Sequence, residues 1–227
     1  MATVPVPEES PRRSRPTSRE LAFIIGVPAA WAILLLFHPL GGDSFYETID
    51  GNVTAWITVH IGMGVFVPLF AGVVYLLLRG LQGTAATVSR IGLAVFAIFY
   101  AAWELVLGVG TGILTHEVNA LPQAQQAVGA GLVDSDAENG VIIALSVVGS
   151  IGLAAAMIGA AVALRGAYHL GWAPLVLMLV AVPLIALHEP PFGPVGLAMF
   201  IAAVLLLVRQ QVSATGPSAP PVRAQPA

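Results

Sequence analysis

The sequence predicts an all-α membrane protein, a bundle of six transmembrane helices with both termini on the cytoplasmic side. Three observations carry that expectation. Charged residues are scarce, six apolar runs have the length of a bilayer core, and every arginine falls on one side of the resulting topology. Only 9% of the 227 residues are charged and 57% are hydrophobic, with a mean hydropathy of +0.88. A soluble domain carries about 25% charged residues, so most of this surface must face something other than water. The lipid bilayer is the partner that fits.

Residues 1–19 are rich in Pro, Ser, Glu and Arg without hydrophobic periodicity, and the tail over 210–227 is similar. Both read as disordered cytoplasmic arms flanking a transmembrane domain over 20–209. The apolar runs lie at about 20–37, 55–78, 91–115, 140–164, 170–188 and 192–208. At ~1.5 Å per residue these lengths suit a hydrocarbon core. Backbone polar groups in lipid must be paired within the segment, which makes each run a helix. Their continuous apolarity lacks the alternation of a membrane barrel. The first run follows Arg12, Arg13, Arg15 and Arg19, as a secretory signal would. It is longer than a signal core and lacks an A-x-A-like site, so it is expected to stay as an uncleaved first span.

Orientation follows from the arginines. With the N-terminus inside, Arg79 and Arg90 fall in the second loop, Arg165 in the fourth, and Arg209 and Arg223 in the tail. The opposite loops hold Asp43, Glu47, Asp50, Glu117, Asp134, Asp136, Glu138 and Glu189, and no arginine. The positive-inside bias then sets the topology. Arginine without lysine, with abundant Ala, Gly, Val and Pro, fits a GC-rich bacterial genome, and the expected location is the bacterial cytoplasmic membrane.

Within the spans, Gly149, Gly152, Ala156 and Gly159 have the spacing that lets helix backbones approach closely, which places the fourth span near the centre of the bundle. Pro68 interrupts the second span, frees the carbonyl of Gly64 and offers a hinge. The loop over 116–139 is the longest, with a short interfacial helix expected after Pro122 and an acidic segment behind it, and it reads as a lid.

Several chemistries are excluded. The chain has no cysteine, which removes disulfides, thiolate metal sites, iron–sulfur clusters and thioether-linked haem. No H-E-x-x-H helix, G-x-S-x-G elbow or phosphate-binding glycine loop occurs. Nothing is basic or aromatic enough outside the membrane to bind nucleic acid.

Two sets of residues remain as candidates. His38, His116 and His188 each end an outward-running helix, and His60 lies about 7.5 Å inside the second span. With Glu117 and Glu189 at the same level, these imidazoles are raw material for a divalent metal ion. The competing reading is that histidines at helix C-termini only complement the helix dipole, which leaves His60 and Glu117 unexplained. Bis-histidine haem is the weaker cofactor candidate, because only His60 has the required depth. The second set centres on Glu104, about 21 Å along the helix from Arg90 and about 18 Å from His116. A carboxyl near the midplane is costly and marks function by default. Tyr100, Gly108 and Thr111 share its helical face. Its expected partners are Gly64 O, the Ser150 hydroxyl and His60.

These residues lead to a metal or small-cation site at an outer-facing His/Glu cluster, or to a membrane metal hydrolase built on it. The alternatives are a proton-coupled small-solute carrier using Glu104, and a non-catalytic membrane subunit or scaffold. A second copy of the chain or another membrane protein is the protein partner these readings would admit.

Overall fold

The computed structural model describes residues 16–168 and 170–214, with side chains through Gln210. The expected disorder of residues 1–15 and 215–227 lies outside the described residues. The chain forms α1 (Ser18–Leu35), α2 (Phe45–Asp50), α3 (Val53–Leu77), α4 (Thr84–Asn119), α5 (Gln123–Ala137), α6 (Gly140–Tyr168), α7 (Trp172–Leu187) and α8 (Phe192–Ala214). No strand occurs among the described residues. Five helical stretches are long and apolar enough to cross a membrane: α1, α3, α4, the run from α5 through α6, and α8. The sixth apolar helix, α7, is shorter, with 16 residues.

The N-terminal boundary is set by local chemistry. Thr17 caps α1 by accepting from Glu20 N–H at 3.3 Å, and the Glu20 carboxylate accepts from Thr17 N–H at 2.9 Å. This reciprocal capping satisfies two of the donors left over at a helix start. It begins the helix at Ser18, two residues before the apolar run. Glu20 also pairs with Arg79 just beyond α3, tying the adjacent ends of α1 and α3 together. Pro28, Pro68 and Pro183 sit inside α1, α3 and α7, which continue through them.

Helix α3, and not α6, occupies the centre. Its Met63, Val67, Phe70, Val73 and Val74 are fully buried. The Phe70 ring meets Trp31 of α1 at 5.6 Å, Phe96 of α4 at 6.4 Å and Phe200 of α8 at 4.7 Å. The glycines of α6 serve one neighbour only. A Cβ on Gly149 would lie 2.7 Å from Tyr100 N, and one on Gly152 would lie 2.7 Å from Phe96 N. One on Gly159 would lie 2.7 Å from Ala85 O. These contacts are all with α4, and Ser89 Oγ adds a 2.7 Å hydrogen bond to Ala156 O. The other side of α6 exposes Val141, Val147, Ile151, Ile158 and Val162. Small residues thus bring two backbones together without centring the helix that carries them.

At the end opposite Arg79 and Arg165, α2 and α5 cover α3 and α4. Ile49, Trp56, Val118 and Val133 form a second apolar cluster there. Tyr46 N–H donates to Asp134 Oδ1 at 2.7 Å, and its hydroxyl donates to Asn119 Oδ1 at 2.6 Å. The helix expected after Pro122 forms, and it runs on through Asp134 and Asp136 into the segment read as its acidic sequel. Burial of Gly129 and Val133 holds it down.

The close approach of α4 and α6 should be sensitive to a single methyl group. A Cβ at Gly92 would stand 2.6 Å from Ala156 N, a backbone atom that cannot move aside cheaply. Gly92→Ala is expected to destabilise the fold by about 1–3 kcal/mol, read as a lower melting temperature in detergent. Gly26→Ala on α1, where nothing lies within 4 Å, should be neutral or stabilising by up to ~1 kcal/mol.

Candidate functional site

Four helices each deliver one ionisable side chain to a single buried cluster. His38 follows the end of α1, where its N–H still bonds Leu35 O at 3.1 Å. His60 sits in the second turn of α3, and Glu104 lies midway along α4. His188 caps the C-terminus of α7. One ring nitrogen from each of His38, His60 and His188 lies within 4.8 Å of the others. The Glu104 carboxylate closes the group, with Oε2 3.8 Å from His60 Nε2 and Oε1 3.9 Å from His188 Nδ1. The three imidazoles and the carboxyl are all buried, Glu104 being 1% exposed.

Backbone carbonyls fix two of the rings. His60 Nδ1–H donates to Trp56 O at 2.7 Å, and His38 Nδ1–H donates to Pro39 O at 2.8 Å. A carbonyl can only accept, so the proton of each neutral ring is on Nδ1 and the Nε2 lone pair is left for another partner. His38 Nε2 is buried and has none, and Glu104 Oε1 is in the same condition. Burial holds the His38 imidazole below its ordinary pKa, against the opposing pull of the Pro39 carbonyl and Glu189, which keeps it neutral at pH 7. The Tyr100 hydroxyl donates to Ala186 O at 2.8 Å and stands 3.3 Å from His188 Nδ1, bracing that ring.

Aromatic side chains wall the group off. Trp56 lies 4.2 Å from the His60 ring and 5.1 Å from His38, and Trp103 lies 5.5 Å from His188. Trp56 Nε1 donates to Gly108 O at 2.7 Å. Gly108 is required here, since a Cβ would stand 2.0 Å from His60 Cδ2. Helix α4 carries two π-helical segments, Phe96–Tyr100 and Glu104–Val109, on either side of one short α-helical turn. Such segments concentrate at functional sites. His188 is the one described non-glycine residue with positive φ, at 35°. A side chain held in that sparsely populated region costs about 1–3 kcal/mol and is retained where the surroundings over-determine it.

The sequence-derived candidates separate into two groups. His38, His60, His188, Glu104 and Tyr100 come together. His116 and Glu117 do not: both are exposed, because Thr111, Thr115 and Val118 take the buried face of that turn. Glu189 is also exposed, at the turn that follows His188, although its charge still reaches the His38 imidazole. Thr111 is buried, yet its hydroxyl is satisfied by Leu107 O and Gly108 O of its own helix. Ser150 is half-buried on α6 and makes no hydrogen bond with Glu104. Gly64 packs against the Leu105 side chain, and no hydrogen bond joins its carbonyl to Glu104 Oε1. Pro68 is exposed on the outer side of α3, remote from the group as a hinge. Trp56 and Trp103 were not singled out by sequence. The spacing of four between Trp56 and His60 was the available signal, since it puts both on one helical face.

Comparison with protein-family models, curated proteins and solved structures finds no match.

A carboxyl whose oxygen is buried without a partner should cost stability when no cation is bound. Glu104→Met is expected to stabilise the chelator-treated protein by about 1–3 kcal/mol, measured by thermal unfolding in detergent. Earlier melting would instead make Glu104 a hydrogen-bonding tie between helices.

Proposed function

We propose that the chain is a multi-pass integral membrane protein that binds a divalent transition-metal ion through His38, His60, His188 and Glu104. In this reading α7 completes six spans, and the arginine-bearing ends face the cytoplasm under the positive-inside rule. The metal site then lies toward the outer face. His116, Glu117 and Glu189 have no part in it.

One observation carries the reading: three buried imidazoles from different helices each bring a ring nitrogen within 4.8 Å of the others, and the Glu104 carboxylate lies beside two of them. The 3.8 and 3.9 Å separations around Glu104 are too long for hydrogen bonds. The His60 Nε2–Glu104 Oε2 separation approaches the spacing of two ligands on one ion, which is about 3.3 Å for tetrahedral Zn–N bonds. Small side-chain rotations would close the difference. The Nδ1–H bonds to carbonyls supply the outer support that metal-bound imidazoles require. Three nitrogens and one carboxylate suit Zn²⁺, with Cu²⁺, Ni²⁺ and Fe²⁺ as competitors, and do not suit Ca²⁺ or Mg²⁺. A haem suits the site less well, because Trp56 and Trp103 pack against the imidazoles where a macrocycle would extend. If Glu104 yields its position to water, the ion could activate that water for hydrolysis.

A proton-coupled carrier is the second reading, favoured by the partnerless carboxyl of Glu104 deep in α4. It expects Glu104→Gln to abolish transport while the histidines are dispensable.

The deciding experiment is elemental analysis of protein purified in mild detergent without chelators, followed by Zn²⁺ and Co²⁺ titration. About one ion per chain is expected, lost in His38→Ala, His60→Ala and Glu104→Gln and retained in His116→Ala. Tyr100→Phe, which removes the brace on His188, should weaken binding about 10–100-fold. Undiminished metal in the His38→Ala/His60→Ala double variant would overturn the proposal.

A further inference from the structure

A separate feature lies on the flank of the molecule, at the arginine-bearing end. Helices α6 and α7 enclose a groove of about 340 Å³. Its walls are Ile158, Ala161 and Val162 from α6 and Leu175 and Leu179 from α7, and Arg165 and Trp172 stand at its mouth. From Arg165 to Ile158 the groove follows about two helical turns, roughly 10 Å, away from the charged rim. The Arg165 guanidinium stacks on the Trp172 ring at 3.8 Å and donates to Leu170 O at 2.7 Å. Those contacts fix its position but do not neutralise it.

Two other arginines at this end, Arg79 and Arg90, differ. Arg79 pairs with Glu20, and Arg90 donates to Leu78 O and Leu81 O across the loop from α3. Among the described residues no carboxylate pairs with Arg165. Beside it, α7 begins at Gly171 with no side-chain cap, and Pro174 in the first turn has no N–H of its own. The Gly171 N–H is taken by Gln210 Oε1 at 3.1 Å. The remaining first-turn N–H groups add positive potential of the kind that binds phosphate.

We infer that this groove is a binding site for an anionic phospholipid, with one acyl chain between α6 and α7 and the phosphate against Arg165 and the start of α7. A fixed cation at the head of an apolar slot matches an amphiphile with an anionic head. A zwitterionic lipid gains less, because among the described residues no carboxylate pairs at Arg165 to receive its cationic group. Basic pockets between transmembrane helices hold anionic headgroups in this way. The inference is independent of the metal site.

The test is native mass spectrometry of the full chain released from micelles containing equal phosphatidylglycerol and phosphatidylcholine. The wild type should retain phosphatidylglycerol about fivefold over phosphatidylcholine. Arg165→Gln should abolish the preference, Arg165→Lys should restore most of it, and Val162→Phe, at an exposed position, should lower retention of both lipids by filling the slot. Equal retention by the wild type, or an unchanged preference in Arg165→Gln, would overturn the inference and leave ordinary boundary lipid. A melting temperature within a few degrees of wild type certifies each variant as folded.

Discussion

Helix α4 is held on two sides by backbone that carries no side chain, and the rest of the molecule is organised around that constraint. Against α6, Gly92, Gly149, Gly152 and Gly159 bring the two backbones close enough that any Cβ would collide with main-chain atoms. Against α3, Gly108 leaves room for the His60 imidazole itself. Between these contacts α4 has no freedom to slide or rotate, so Glu104 is delivered to one depth and one direction. In a lipid environment apolar burial does not drive helices together. Fit of this kind must then supply the specificity that a water-soluble core draws from the hydrophobic effect.

The same constraint explains why the polar group tolerates its position. Buried polar atoms usually find hydrogen bonds, and most here do, through Trp56 O, Pro39 O and Ala186 O. Of the three described exceptions, His38 Nε2 and Glu104 Oε1 belong to this cluster, and Trp31 Nε1 lies apart from it, beside Phe70. A scaffold selected only for stability would have filled this place with apolar side chains, as it has around Phe70. The imidazoles, the strained backbone at His188 and the π-helical turns of α4 all depart from the most stable local choice, and they do so in the same place.

Much of the fold was legible in the sequence because apolar run length is a one-dimensional property. Most helix ends fall within a few residues of the runs, but α4 begins well before its run, at Thr84, and α8 continues well beyond its run, to Ala214. Glu104 was legible for the same reason, since depth along a helix can be counted. The composition of the cluster was not. His116 is a candidate in the sequence because it closes an outward-running helix, yet the turn exposes it while Thr115 faces inward. His38 looked equivalent to His116 at a helix end, and only the packing of α1 on α3 separates the two. Helix neighbours are a two-dimensional arrangement that a linear pattern does not encode. The mistaken centrality of α6 has that origin as well: its glycines identify a close contact but not how many neighbours share it.

The length of α7 has a consequence for the surrounding bilayer. Its 16 residues reach about 24 Å, against a hydrocarbon core of about 30 Å. With six spans threaded as proposed, this flank is mismatched: tilting would only worsen the shortfall, so the lipid beside α7 must thin. His188 stands at the outer tip of that helix. Local thinning would lower the outer headgroup layer toward the cluster on this flank. The dent would give a hydrated ion its shortest approach from the aqueous phase, and it biases the protein toward the thinner membranes of a cell.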